Sequence, residues 1–567
     1  MSTTGHVGRC SHNGHNRPRR CRKAAVVFRG GRLALWHAAC HQACNCIASS
    51  AFVRCTLKSE RPLDSNVRES ADVIVVGGGG AGLSAAAEAA RLGRKTILLE
   101  KNPALGGSTA WSVGSISATN TPHQLSRGIL DTPDDHFEDL ETLAGSYANR
   151  DNRALRRLLV DRSNEMLHWL MSIGLVFVGP NPEPPHRQPR MHNVLPNSKA
   201  FPDRLGRHCR KLGVDIRLNA LAERLIVEND RVAGVVASCS GRRTEFRARG
   251  GVVLASGDYS ASAELKGRYA GENAAQLEPV NPTATGEGFK LALDLGAVIV
   301  NGDIVRGPIM RFVPPRRRKL LQLLPPHRWL ALIMRWSFDH LPPALLRPFV
   351  MSFLTTALGP SVDLFKRGAI LVNKEGKRFV DELDRPGRMV PLQPDREAFI
   401  ILDGRLAAEF SAWPYFVSTA PGVAYAYLDD YRRNRKDIFH KASTVEGLAA
   451  AMGVPAAALA DTIARCNTAE RGPSGSDGRP PLAAGPYYGL GPVKSYVVFT
   501  DGGLKVSERL EVLKESGDRI EGLFAAGSAG QGGLLLEGHG HHLGWAFISG
   551  KIAGRNAALR VSSLAST

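Results

Sequence analysis

Metal-ligand clusters, membrane spans and acidic charge are what this chain is short of. From Ser70 onward only Cys209, Cys239 and Cys466 remain. No group of Cys, His and acid there keeps the spacing of a zinc, haem or iron–sulfur site, so no metal centre is expected. No window of about 18 uncharged apolar residues occurs, which excludes a spanning helix. Acids number 53 against 73 Lys and Arg, a net charge of +20. Such a balance raises nucleic acid as a partner, yet no aromatic–basic module accompanies it and the charge is scattered. No nucleic-acid partner is therefore expected, and the charge is assigned to solvated surface or to affinity for anionic lipid head groups.

The first 68 residues differ from the rest. They hold Cys10, Cys21, Cys40, Cys44, Cys46 and Cys55, but the spacing of His37, Cys40, His41, Cys44 and Cys46 fits no standard metal site. Arg17 to Lys23 is a basic cluster and apolar periodicity is absent. Residues 1–68 read as a disordered leader or a mis-assigned start. A twin-arginine export signal at Arg19-Arg20, interrupted by Arg29 and Arg32, and an acid-poor mitochondrial presequence are the minority readings.

What is present is most concentrated between Asp72 and Glu100. A hydrophobic strand, the run Gly77-Gly-Gly-Gly-Ala81-Gly82, an alanine-rich helix ending at Gly93 and a second strand closing at Glu100 follow one another. Gly77 permits the turn, Gly79 lets backbone approach a diphosphate, and Gly82 allows helix to pack on strand. The bare amides at the helix N-terminus suit phosphate. A carboxylate at Glu100 accepts from both ribose hydroxyls and repels a 2′-phosphate, so the nucleotide is of the FAD or NAD type, not NADP. At 567 residues and 43% hydrophobic content, two domains are the natural expectation.

Lys101 to Gly114, with Gly106, Gly107, Ser108 and Thr109, resembles the segment beneath the flavin in the superfamily of fumarate reductase and succinate dehydrogenase flavoproteins and 3-ketosteroid dehydrogenases. Val252 to Asp258, Gly368 to Glu382, Gly522 to Gly527 and Gly538 to Gly554 extend the resemblance. It implies an α/β fold, a Rossmann-like FAD-binding domain with an inserted α+β substrate-capping domain. It also implies FAD held by Gly77, Gly79, Ala81, Gly82, Glu100, Lys101, Gly107, Ser108, Thr109, Gly114, Gly257, Gly527, Gly544 and Ala546. No histidine occurs in Gly106 to Ser112, where succinate dehydrogenases bond covalently, so the expected FAD is noncovalent.

Coarse patterning fills in the rest. Asn152 to Ile173 carries Leu155, Leu159, Met166 and Leu170 at helical spacing, and Gly174 ends it. Arg224–Glu228, Val232–Ser238 and Thr244–Arg249 read as strands, the first pair joined at Asn229-Asp230. The FAD domain is expected at 69–297 and 485–560, and the cap at 298–484. Within the cap, residues 311–358 join a basic run to apolar helices bearing Trp329, Trp336, Phe338, Phe349 and Phe353. That pattern fits helices packed into an enlarged cap, with apolar walls for substrate, or a membrane-surface anchor. A cytoplasmic location, with or without peripheral membrane contact, is expected.

The family pattern breaks at the catalytic positions. In the turn Val498-Phe-Thr-Asp-Gly-Gly503 the substrate-binding histidine of dicarboxylate enzymes is replaced by Val498 or Phe499. In Gly538-His-Gly-His-His-Leu-Gly544 the clamping arginine is most nearly replaced by His541. Four places beyond Glu382, where the resemblance implies a proton-transfer Arg or Tyr, stands Pro386, with Arg385 just before it and Arg388 after. Losing the guanidinium loses the bidentate hold on a carboxylate. His541, His542 and Arg385 are thus the catalytic candidates, with His539 behind them; His186 and His192 read as a solvated loop. The expectation is dehydrogenation or reduction of a carbon–carbon bond next to the carbonyl of an apolar, ketosteroid-like ketone, with an unidentified electron acceptor. The alternatives are a fumarate reductase-like enzyme with a rearranged clamp, and a membrane-surface flavoprotein serving electron transfer or binding.

Overall fold

Val67–Val76 is buried from Ala71 to Val76 and runs parallel to Thr96–Glu100 on one side and to Arg242–Leu254 on the other. This computed structural model describes residues 67–315, 324–420, 424–468, 479–483 and 485–565. The expectations for residues 1–66 and for the charges Arg316 to Lys319 lie outside the described residues. The first strand begins at Val67, ahead of the expected boundary at 69, because Val67 already pairs with Thr244.

The main sheet has eight strands. Its path runs Glu511–Leu513, Arg519–Ala525, Arg242–Leu254, Val67–Val76, Thr96–Glu100, Asp215–Leu218. Contacts are parallel except at the Glu511–Leu513 edge. The hairpin Ala220–Glu228 and Arg231–Cys239 turns on Asn229 and Asp230, both at positive φ of 50° and 56°, as a tight hairpin requires. Two strands expected separately, Thr244–Arg249 and the one opening at Val252, are a single 13-residue strand. Val67–Val76 pairs along both halves of it, while the hairpin pairs with the first half alone.

Helix Gly80–Arg91 lies on this sheet and is itself covered by the C-terminal helix His541–Ala565. The contact is made by small residues. A Cβ at Gly550 would fall 2.3 Å from the Ala81 carbonyl oxygen, and one at Gly554 would fall 2.2 Å from that of Ala85. Both distances are below any real Cβ contact, so only glycine permits this approach. Gly82 does the same toward the strand, where a Cβ would meet the Gly77 carbonyl oxygen at 1.8 Å.

The cap forms a second core around Leu371, Ile400, Ile401, Leu490 and Val493. Its central strand is Tyr487–Val497, paired with Ile309–Phe312, Ala398–Leu402 and Phe439–Ala442. The expected return to the FAD domain at 485 is therefore too early. Leu490 and Val493 belong to the cap core, and the chain leaves the cap after Val497. The two crossings are paired antiparallel: Ile299–Val300 with Gly503–Leu504, and Val305–Arg306 with Phe499–Thr500.

Helix Arg328–His340 was expected within the cap. Instead Ala331 and Met334 pack on Val176 and Leu195 of the small sheet formed by Ser115–Ser117, Met191–Leu195 and Val176–Asn181. The following helix, Pro343–Ala357, is the one that joins the cap core, through Met351. Gly554→Leu forces the C-terminal helix off the Gly80–Arg91 helix and is expected to cost at least about 1–3 kcal/mol. Thermal denaturation and flavin content of the purified variant measure this.

Candidate functional site

The same helix contact that uses Gly550 fixes the register of the C-terminal helix. His541 and His542 open that helix nine and eight residues earlier, about 12–13 Å along the axis at 1.5 Å per residue. Adjacent positions differ by about 100° around a helix, so the two side chains face different neighbours. His542 turns to the crossing segment: its ring lies 3.9 Å from that of Phe499, and its Nε2 is 3.7 Å from Asp501 Oδ1. His541 turns the other way, into a fully buried cluster with His136 and His186.

Pairing of Arg306 with Phe499 across the crossing brings a guanidinium to Asp501. Arg306 Nε donates to Asp501 Oδ2 at 2.5 Å, and the same guanidinium forms an ion pair with Glu537. Gln531 Nε2 donates to Asp501 Oδ1 at 3.0 Å. Burial pushes the Asp501 and Glu537 carboxyls up, against the downward pull of Arg306. Burial, assisted by Arg306, pushes the His542 imidazole down to about 3, so it is neutral at pH 7 although its side chain keeps 20% exposure. His542 Nε2 and Gln531 Oε1 have no hydrogen-bond partner within the protein.

His541 is neutral too, pushed down to about 3 by burial and by neighbouring His186. Its Nδ1 donates to the Glu537 carbonyl at 2.5 Å, which leaves Nε2 to accept from His136 Nε2 at 3.0 Å. The sequence reading found no metal constellation after Ser70, yet the fold brings nitrogens of His136, His186 and His541 within 4.8 Å of one another. Arg190 donates to His186 Nδ1 at 2.9 Å, which places the His186 proton on Nε2. His136 and His541 are hydrogen-bonded to each other, whereas His186 Nε2, buried beside them, has no hydrogen-bond partner among the described residues. His186 and His192, read as solvated, are both buried; His192 sits in the strand Met191–Leu195 and meets Thr121 Oγ1 at 3.0 Å. His539 is 54% exposed and paired at 2.5 Å with Glu183, which raises its pKa. Arg385 is exposed, at a φ of 48°, and does not enter the buried group at Asp501.

The glycine turn has the form of a phosphate cradle. A Cβ on Gly79 would meet only the Gly106 carbonyl, at 3.8 Å, and one on Gly107 only the Gly79 Cα, at 3.8 Å. Two bare backbones thus face each other beside a helix N-terminus that no side chain caps. Thr109 Oγ1 accepts from Gly80 N at 3.1 Å, and Ser108 Oγ accepts from Asn281 at 2.8 Å. Glu100 Oε2 accepts from Gly78 N at 2.6 Å and Oε1 from Asn102 N at 2.8 Å, which aims the carboxylate across the turn. Gly257, with φ of 83°, borders open space. Gly527, whose amide donates to Ser549 Oγ, lies against Ala81 and Ala546. Lys101 pairs with Glu287 at 2.7 Å, Gly114 packs under Val194, and Gly544 rests on Leu159 and Met166.

Beside this dinucleotide cradle, neutral histidine and buried Arg–carboxylate group, similarity to known proteins identifies an FAD-dependent oxidoreductase acting on CH–CH groups. The chain belongs to the FAD binding domain family, whose model matches residues 72–310 and 341–535. It is 27% identical over 517 residues to a probable fumarate reductase of Shewanella frigidimarina, covering 88% of this chain and 77% of that one. It is also 27% identical over 522 residues to the vinyl phenol reductase of Lactiplantibacillus plantarum, covering 86% and 97%. Among solved structures it is similar to the open conformation of a flavocytochrome c3 fumarate reductase (TM-score 0.65, 25% identity, 87% of this chain and 79% of that chain). A second is the 3-ketosteroid-Δ4-(5α)-dehydrogenase of Rhodococcus jostii RHA1 (TM-score 0.54, 26% identity, 86% and 97%). The cofactor is FAD. Among the described residues no helix is long and apolar enough to cross a membrane.

Arg306, Glu537 and His136 carried no sequence signal, whereas Asp501 lay within the quoted turn. Replacing Glu100 by Ala removes the ribose acceptor and the Gly78 tether, and is expected to weaken FAD binding by about 1–3 kcal/mol in a titration of apoprotein. The buried histidines also set an acid limit. Unfolded, each binds a proton near pH 6.5, but folded His541 does so only near 3. Between those values the unfolded state holds more protons, so stability falls as pH drops through this window, by up to about 1.4 kcal/mol per pH unit for each such histidine. Chemical denaturation from pH 7 to 4 tests this, and His541→Gln is expected to make the fall shallower.

Proposed function

We propose that this flavoenzyme acts on the carbon–carbon bond next to the carbonyl of an uncharged, apolar ketone, in the manner of the 3-ketosteroid dehydrogenases. The observation that carries the reading is the pairing of Arg306 with Asp501 and Glu537. Arg306 is taken up by these two carboxylates and His541 and His542 are neutral, so none of these three groups offers a substrate carboxylate a free cation. Two carboxylates desolvated here would each face a penalty of several kcal/mol without an arginine partner. A ketone needs one or two donors for its oxygen, and Phe499 beside His542 gives an apolar surface.

Dehydrogenation removes a proton from the carbon beside the carbonyl and a hydride from the next carbon; reduction adds both. The glycine turn and Glu100 would hold FAD, noncovalently in this reading, and the bound flavin would supply the hydride chemistry. The chain must bind the ketone, orient it and stabilise charge growing on its oxygen. A neutral imidazole donates a hydrogen bond without having to lose a positive charge, and His542 is the histidine that faces the crossing. Asp501, anchored by Arg306 and Gln531, stands 3.7 Å from His542 Nε2 and offers the ring a carboxylate neighbour. His541 holds the helix start through its bond to the Glu537 carbonyl and so acts as a positioning residue.

The relatives keep a second reading in view, because fumarate is what several of them reduce by name. Anaerobic flavin spectra separate the two. An apolar enone is expected to reoxidise the reduced enzyme, or its saturated ketone to bleach the oxidised one, while succinate and fumarate do neither. His542→Ala is expected to slow turnover at least tenfold, and His541→Ala to lower stability more than rate. Efficient fumarate reduction with His542 dispensable overturns the proposal.

A further inference from the structure

Helix Arg328–His340 has two unlike faces. One carries Ala331 and Met334 into the contact with Val176 and Leu195. The other carries Trp329, Leu332, Ile333 and Trp336, which are 61%, 46%, 55% and 54% exposed. Their spacing of i, i+3, i+4 and i+7 places them in one stripe about 10 Å long. A helix that has already buried its inward face has no folding reason to bear four large apolar side chains outward. Leu345, on the next helix, is 66% exposed as well.

Charge separates the occupants of such a stripe. Between Ile304 and Val362 the sequence has nine Lys and Arg and a single acid, Asp339. Arg328 is exposed at the start of the helix, and Arg335 lies one residue before Trp336. Arg335 shares Asp339 within the helix, so Arg328 is the cation that decides: a second copy on this face would bring it toward its own counterpart, whereas an anionic surface would attract it. Tryptophan at both ends of the stripe suits the head-group boundary, where the ring is buried and its N–H stays wet.

We propose that the Trp329–Trp336 face docks this flavoprotein on the surface of an anionic phospholipid bilayer. The helix lies parallel to that surface with its apolar stripe at the acyl boundary and Arg328 among the head groups. The inference is independent of the substrate reading, since it rests on a face remote in sequence from His542 and Asp501.

The test uses the full-length, flavin-loaded chain and sedimentation with vesicles of phosphatidylcholine alone or mixed with phosphatidylglycerol. Binding to the mixed vesicles is expected to exceed binding to the neutral ones at least tenfold and to weaken as salt is raised. The triple variant Trp329→Ser, Ile333→Ser, Trp336→Ser is expected to lose at least tenfold in binding with flavin content unchanged. Should that variant lose its flavin, Arg328→Glu is measured in its place; it leaves the stripe intact and is expected to weaken binding to the mixed vesicles only. Equal binding by wild type and variant, or no binding to anionic vesicles at low salt, overturns the proposal. So does a dimer in solution that the triple variant abolishes, which would assign the face to a second copy.

Discussion

The close approach of the C-terminal helix to helix Gly80–Arg91 is the constraint on which the rest depends. At Gly550 and Gly554 the backbone of one helix meets the carbonyls of Ala81 and Ala85 with no room for a side chain. That contact does two things at once. It buries the helix whose N-terminus faces the diphosphate, and it sets the axial position and rotation of the residues that open the other helix. His542 therefore faces the crossing between domains, and His541 faces away from it. A sheet-packed nucleotide helix and the histidine-bearing helix start are coupled by a stripe of small residues.

The electrostatics of the crossing follow from burial. Arg306 and Asp501 come from the two opposing crossing segments, and Glu537 from the loop before the C-terminal helix. Each charge alone would be costly to desolvate; together they approach balance. The same low-polarity surroundings keep His541 and His542 neutral, since a proton on either would add an unpaired charge.

Two consecutive helices divide their loyalties between the domains. Arg328–His340 packs on the small sheet beside the FAD domain, and Pro343–Ala357 enters the cap core. The first leaves its tryptophans in solvent, so Trp329 and Trp336 do not wall a substrate cavity as their apolar character suggested. Periodicity alone could not decide this. A stripe of four apolar residues reads the same whether it faces a core or leaves it.

The strand, glycine turn, helix and acid between Asp72 and Glu100 were legible in the sequence, because their contacts close within about 30 residues and their backbone demands are met by glycine alone. Asn229-Asp230 and the helix after Asn152 were legible for the same local reason, whereas Gly538 to Gly554 was marked only by its resemblance, since Gly550 and Gly554 answer to distant Ala81 and Ala85. What tertiary structure decided is what depends on rotation and on distant partners. Which of two adjacent histidines faces Asp501 turns on about 100° of helix rotation, set by glycines eight and more residues away. Arg306 reaches Asp501 across 195 residues of chain, and His136 reaches His541 across 405. The cap strand Tyr487–Val497 was misplaced for a related reason: its pattern says strand, but only its pairing with Ile309–Phe312 and Ala398–Leu402 says which sheet it joins. Local chemistry fixed the nucleotide end of this enzyme, and long-range packing chose the residues at its reactive end.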